Sequence, residues 1–271
     1  MRLLGKRVVE VKSLDSWIPL VPFSDWHLSA RACDEKLIDE MVSWVARHPT
    51  ALWCSLGDLA NLIIPGDKRW DASEIELKFY NMLKEGGFGG QLRKYVTDKI
   101  RRVKDRGLFM VGGNHEGHYD AFRDQAFTRE MAAELGVPFG GELAAFEIIF
   151  TDGSKRIPYR IIARHGSSSA TTPSGKLNVL LKFVASIGGG DLYLIGHMHD
   201  LMNRRISPVN INEGCRKLKH CNVRAAICGS TLKTFGEDYE TYSEKKGYQP
   251  VPLGNPIIWI QPSTKKTRVE D

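Results

Sequence analysis

Five short blocks, each following a strand-like apolar run, carry side chains of the kind that bind divalent cations. They are Ser24-Asp25-Trp26-His27, Leu56-Gly57-Asp58-Leu59-Ala60-Asn61, Gly112-Gly113-Asn114-His115-Glu116, Ala163-Arg164-His165-Gly166 and Ile195-Gly196-His197-Met198-His199-Asp200. A fold that uses them together must gather residues 25 to 199 at one place, so a single unit has to enclose most of the 271 residues. Residues two apart in an extended chain point to the same side, which lets Asp25 and His27 converge on one ion, and His197 and His199 likewise. Glycine before Asp58, Asn114 and His197 permits a sharp turn and the close approach of a ligand. Imidazole, carboxylate and amide oxygen together suit Mn, Fe, Zn or Ni. They do not suit an all-oxygen calcium site or a thiolate-rich zinc site.

Between the blocks, helical and strand-like periods alternate. Leu37, Ile38, Met41, Val42 and Val45 recur at helical spacing, so 34–47 reads as an amphipathic helix that Pro49 ends. Residues 73–106 read as a long helical stretch interrupted by glycines within 85–90. A helix over 127–135 has Gly136 as its cap, and 177–187 reads as another. Apolar runs at 51–56, 107–111, 144–150, 157–163, 191–195, 223–228 and 256–260 read as strands. The alternation predicts an α/β layered fold, and such sheets bind ligands outside the carboxyl ends of their strands. The whole chain, 1–271, is read as one domain, with a motif core over about 18–202 and C-terminal strands and tail over 203–271.

Apolar residues make up 42% and charged residues 26% of the chain, which excludes a disordered polymer. No apolar run approaches the roughly 18 residues of a membrane helix. The charged start, Met1-Arg2-Leu3-Leu4-Gly5-Lys6-Arg7, fits no signal peptide. Five cysteines at irregular spacing form no disulfide pattern, so the expected setting is a reducing cytoplasm with no membrane partner. Cys215, Cys221 and Cys228 beside His220 imitate a zinc site, but their spacings are too wide for the usual pattern. Lys+Arg 38 minus Asp+Glu 32 gives +6, which suits a polyanionic partner without demanding one.

In this order the five blocks resemble the calcineurin-like metallophosphoesterases. Their pattern is Asp-x-His, Gly-Asp-x-x-Asp, Gly-Asn-His-Asp/Glu, a separate His, then Gly-His-x-His. The resemblance covers the motif core. It is strongest to uncharacterised phage and prophage members, through Ala226–Lys233 and Lys246–Pro250. It implies a four-layer α-β-β-α sandwich with mixed sheets and two divalent metal ions, manganese foremost, with Fe, Zn, Ni or Co as alternatives. It also implies that Asp25, His27 and His199 hold one ion, that Asn114, His165 and His197 hold the other, and that Asp58 bridges both. His115 would contact the scissile phosphate and assist its leaving group. The implied reaction is hydrolysis of a phosphodiester or phosphomonoester by a hydroxide bridging the ions. Two departures stand out. Asn61 replaces the family's aspartate, which predicts weaker orientation of His115 or a ligand. Asn61-Leu62-Ile63 also replaces the Asp-Arg-Gly of protein Ser/Thr phosphatases.

Neighbouring residues carry less. Glu116 and Asp200 are expected to orient imidazoles. His118 and Tyr119 are placed in a solvated loop, Trp26 in packing, and Arg164 on the face opposite His165. Basic residues cluster at Arg93, Lys94, Lys99, Arg101, Arg102, Lys104 and Arg106, at Arg204 and Arg205, at Arg216, Lys217 and Lys219, and at Lys265, Lys266 and Arg268. A nuclease needs such contacts beyond its metals. Nucleic acid, small phosphodiesters, nucleotides and phosphomonoesters are all carried as substrate classes. The competing reading is a non-catalytic module that keeps the fold and binds nucleic acid or a protein. The intact set of Asp58, His115 and His199 favours the enzyme.

Overall fold

The computed structural model describes residues 1–123, 125–211 and 216–271. The first half runs β1 (Arg2–Glu10), β2 (Ile18–Phe23), α1 (Glu35–Arg47), β3 (Leu52–Ser55), α2 (Leu77–Glu85), α3 (Phe88–Arg101), β4 (Gly107–Met110), α4 (Asn114–Arg123) and α5 (Phe127–Leu135). The second half adds β5 (Leu143–Thr151), β6 (Arg156–Arg164), α6 (Pro173–Ser186), β7 (Leu192–Ile195), β8 (Leu201–Ile206), β9 (Val209–Ile211) and β10 (Leu218–His220). It closes with β11 (Val223–Cys228), α7 (Tyr242–Lys245), β12 (Ile257–Gln261) and β13 (Lys266–Glu270).

Pairing produces a six-stranded sheet, β1-β5-β6-β7-β11-β8, a five-stranded sheet, β13-β12-β2-β3-β4, and the separate pair β9-β10. Both large sheets are mixed. β2, β3 and β4 run parallel while β12 opposes β2, and β6, β7 and β11 run parallel while β8 opposes β11.

Alternation along the strands gives each sheet two apolar faces. Leu20, Leu52 and Phe109 meet Phe146, Ile148, Ile161 and Leu194 between the sheets. On the other face of the five-stranded sheet, Val21, Trp53 and Met110 pack under Ile38, Leu92 and Met131 of the helices. On the far side of the six-stranded sheet, Ile162, Tyr193 and Ala225 meet Leu180 and Phe183 of α6. The layers are helix, sheet, sheet, helix, as expected.

Local signals explain most boundaries. Asp34 caps α1 by accepting the Leu37 N–H at 3.0 Å. Gly86 and Gly87, with φ of 85° and 68°, split the 73–106 stretch into α2 and α3. The segment after the third block is a helix, α4, not a loop. Tyr119 is buried on it, against Gly89 of α3. No helix among the described residues is long and apolar enough to cross a membrane.

Glu35 ties three helices together, accepting from Lys78 of α2 and from Tyr95 and Lys99 of α3. Burial raises its carboxyl, but these partners outweigh burial and bring it down to about 2. A carboxyl lowered in the native state stabilises the fold above its unfolded pKa and loses that contribution as pH falls. Glu35→Gln should therefore cost about 1 kcal/mol at pH 7, discounted for partial exposure. Thermal melts should show the gap to wild type narrowing between pH 4.5 and pH 2, the interval set by the lowered carboxyl.

Candidate metal centre

The blocks follow strands that leave the sandwich at one end. β2, β3 and β4 are parallel neighbours in one sheet, and β6 and β7 in the other. Asp25, His27, Asp58, His115, His165, His197 and His199 therefore meet, together with Asn114.

Their backbone is not extended, which corrects the expectation. Asp25, His27, Asp58, His197 and His199 have φ of 52°, 49°, 51°, 66° and 47°. This left-handed conformation costs roughly 1–2 kcal/mol at a residue with a Cβ, so surrounding contacts must impose it. The Asp25 and His27 N–H groups donate to the Gly57 and Asp58 carbonyls at 3.0 and 2.9 Å. The His197 N–H donates to the Asp25 carboxylate at 3.0 Å. Ser230 and Thr231 hydroxyls donate to the Asp25 and Trp26 carbonyls, each at 2.8 Å. Asn255 accepts from the Ser24 N–H and Trp26 Nε1–H and donates to the Ser24 and Cys228 carbonyls. Ser230 and Thr231 lie in the stretch Ala226–Lys233 that carries part of the resemblance, but neither they nor Asn255 has a role assigned from the sequence; all three are polar residues just after Gly229 and Gly254.

Among the described residues, three overlapping groups of donors result, and His115 with His27 and Asp58 stands between the two outer sets. In the first, His27 Nε2 lies 3.0 Å from His199 Nε2 and 3.9 Å from both Asp25 Oδ1 and Asp58 Oδ2, and His199 Nε2 is 3.3 Å from Asp25 Oδ1. In the second, His165 Nε2 lies 3.1 Å from Asp58 Oδ2 and 2.9 Å from Asn114 Oδ1, with His197 close by. Divalent ions bond N and O donors at about 2.0–2.2 Å, which sets neighbouring donors about 3.0–3.6 Å apart. Most of these spacings match the edges of two adjoining coordination shells that share Asp58. His165 Nδ1–H donates to the Leu56 carbonyl at 2.8 Å, which turns Nε2 toward Asp58.

The electrostatics agree. Asp25 and Asp58 are 0% and 1% exposed, and buried carboxylates need compensating positive charge. Burial raises the Asp58 carboxyl, but His165 and then His115 hold it well below the usual range. Burial lowers the imidazoles of His27, His115 and His197, that of His115 to about 4. His165 rises to about 10 against burial, because Asp58 and then Asp25 surround it.

Glu116, Asp200 and Asn61 act otherwise than expected, whereas Trp26 and Arg164 are placed, and His118 is exposed, as expected. Glu116 touches no imidazole. Its carboxylate accepts the N–H groups of Asp58, Leu59, Ala60 and Gly113 at 2.9, 2.7, 3.3 and 3.1 Å, clamping the second block to the third. Asp200 pairs with Lys176 at 3.0 Å rather than with a histidine. Asn61 Oδ1 accepts from His115 Nδ1–H at 2.8 Å, so the amide still orients that ring. Trp26 is fully buried beside Phe23, and Arg164 lies over the Phe183 ring. His118 is exposed, 3.6 Å from Asp67. Cys228 is buried in the inter-sheet core, while Cys215 and the His220 side chain lie outside the described residues.

Two cavities open onto the centre. One, of about 460 Å³, is bounded by Asp58, Asn114, His115, Lys176 and Pro250. The other, of about 250 Å³, is bounded by Asn61, Arg69, Trp70, His115 and Tyr242. Arg69 is held by Asp67 at 3.1 and 2.7 Å.

No family model matches this chain, and no curated protein matches it. Among solved structures, the chain is similar to a crystal structure of a dimetal phosphatase from Danio rerio. The identity is 8%, the match covers 93% of this chain and 98% of that chain, and the TM-score is 0.38.

Proposed function

We propose that the chain is a dimetal phosphoesterase acting on phosphodiester or phosphomonoester bonds. The observation that carries this reading is the pair of adjoining donor sets that share buried Asp58. Asp25, His27 and His199 would hold one ion, Asn114, His165 and His197 the other, and Asp58 both. The N/O donor set suits a borderline divalent ion, Mn, Fe, Zn, Ni or Co, and Mn, which the family resemblance puts foremost, is the ion used in the test. Bound there, two such ions supply Lewis acidity toward phosphoryl oxygens and acidify water.

The chain's own residues supply the rest. Lys176 and Arg69 line the two cavities, each fixed by an acid, and set positive charge where a phosphate's remaining oxygens need it. Asn61 accepts Nδ1–H of His115 and so fixes the ring, and Nε2 would serve the leaving oxygen only from the imidazolium form, after taking up a proton from water. His115→Ala should retain both ions and cut turnover by about 10²–10⁴. Elemental analysis reads the first effect and steady-state kinetics the second, and metal loss would move His115 among the ligands.

The test of the reading is a panel run with Mn. It sets bis-p-nitrophenyl phosphate, phosphomonoesters, cyclic nucleotides, RNA, and single-stranded and duplex DNA side by side, with Asp58→Asn as control. Turnover of any ester that the control lacks supports the proposal. Equal inactivity of both proteins across the panel sinks it.

A further inference from the structure

A third cleft, of about 500 Å³, lies at the far end of β11 from the metal centre. Val223 and Arg224 begin that strand and line the cleft, whereas its other end leads into Ser230 and Thr231 on the metal loop. A six-residue strand spans roughly 17–20 Å. Among the described residues, ten line this cleft; five of them are basic, namely Arg205, Arg224, Lys265, Lys266 and Arg268, and none is acidic.

The placement of these cations costs the fold something. Arg205 and Arg224 are direct cross-strand partners on antiparallel β8 and β11. Like charges so placed destabilise a sheet. Ala226 and Cys228 belong to the core between the sheets, so half-buried Arg224 and its partner Arg205, exposed on the edge strand, lie at the open end of that inner face. Among the described residues, their hydrogen-bond partners are neutral. Arg205 donates to Asn222 at 2.9 Å, and Arg224 donates to Asn203 at 3.0 Å and to the Thr267 carbonyl at 2.9 Å. Arg224 Nε is buried without an acceptor. Burial and then Arg205 lower the Arg224 pKa, as expected for a cation crowded by a cation. Arg268 stacks over the Trp17 indole at 4.1 Å. Asp191 offsets Lys265 alone, at 3.1 Å.

The basic run on α3 is different. Arg93 pairs with Glu130 and Glu134, Lys99 with Glu35 and Asp39, and Arg101 with Asp98. Arg102 and Arg106 bond Ser43 and the main chain of α1. Most of that run is engaged within the fold.

We propose that the cleft between β8, β11 and β13 binds the phosphate backbone of a nucleic acid strand through Arg205, Arg224, Lys266 and Arg268, beside Trp17. Its cations come from three strands rather than from one loop, an arrangement that follows successive phosphates better than it encloses one. The site is separate from the metal centre and does not depend on its chemistry.

Fluorescence anisotropy with a labelled poly-dT strand tests this, using the full chain in EDTA so that hydrolysis does not intervene. The charge-reversed variant Arg205→Glu/Arg268→Glu should bind at least about tenfold more weakly, with a salt dependence shallower by about 1.4 in log–log slope. Asp58→Asn should bind as wild type does. Arg205→Glu turns a repulsive cross-strand pair into an attractive one, so the thermal midpoint should hold or rise. Arg205→Gln/Arg268→Gln replaces the first variant if that chain does not fold. Hydrolysis of bis-p-nitrophenyl phosphate reads the metal centre separately. Wild-type affinity in the double variant overturns the proposal, as does lost affinity in Asp58→Asn. Displacement of the strand by pyrophosphate at equal ionic strength would also overturn it, in favour of a small-anion site.

Discussion

Asp58→Asn should lower phosphoester hydrolysis by about 10³-fold or more, near 4 kcal/mol of barrier, in a chain that still folds. Asp58 Oδ2 lies 3.9 Å from His27 Nε2 and 3.1 Å from His165 Nε2, between the two donor sets. Asparagine keeps the shape and removes the charge. Two dications would then share one carboxylate fewer, so metal occupancy should fall with turnover. The fold should survive, because the Asp58 and Leu59 N–H groups remain clamped by Glu116. Asparagine Oδ1 can also still accept the His115 N–H that Asp58 Oδ1 accepts at 2.8 Å. Kinetics, metal analysis and a thermal melt on the same preparation check all three points. A variant retaining more than a tenth of wild-type turnover would remove Asp58 from the bridging position.

Gly57→Ala should damage both stability and metal binding. Gly57 has a φ of 90°, and a Cβ there would fall 2.3 Å from the Gly113 nitrogen and 2.6 Å from its Cα. Those are backbone atoms, so no flexible side chain can yield. The loops after β3 and β4 would have to separate, and they carry Asp58 and Asn114. Left-handed strain and overpacking together amount to about 2–5 kcal/mol. At roughly 2–4 °C per kcal/mol, the thermal midpoint should drop by several degrees or more. Gly90→Ala is the contrasting control. A Cβ there meets nothing within 4 Å, and the site is exposed on α3, so alanine should be neutral or stabilising by up to about 1 kcal/mol. A melt in which both variants match wild type would show that the two loops are not closely packed.

The donor set is legible in the sequence because each block joins an apolar run to a ligand-type side chain, with a glycine turn in four of the five. Those runs become strands with a common exit end. The geometry of the set is not legible. Convergence of alternate residues assumes an extended chain, whereas Asp25, His27, His197 and His199 adopt left-handed backbone imposed by contacts from elsewhere. The role of Glu116 is hidden for a related reason. Its partners are backbone N–H groups, and that of Asp58 is 58 positions away. α4 escapes notice because Gly117 and two histidines weaken its helical signal. β1 and β13 lie at sheet edges, where alternating Arg, Lys and Glu face solvent and mask the strand pattern. β2 is buried throughout, yet Pro19 and Pro22 interrupt its run. The pairing of the basic residues is hidden as well. Much of the helical cluster is paired within the fold, whereas Arg205, Arg224, Lys265, Lys266 and Arg268, from separate segments, line one cleft.

Metal content measured together with turnover tests the central claim most directly. The chain is loaded with Mn, freed of excess, analysed for metal, and assayed on bis-p-nitrophenyl phosphate before and after chelation. Two ions per chain are expected, with turnover that chelation abolishes and added Mn restores. Stoichiometric metal without turnover in Mn, Ni, Co or Zn would contradict the account and leave a metal-bearing binding module.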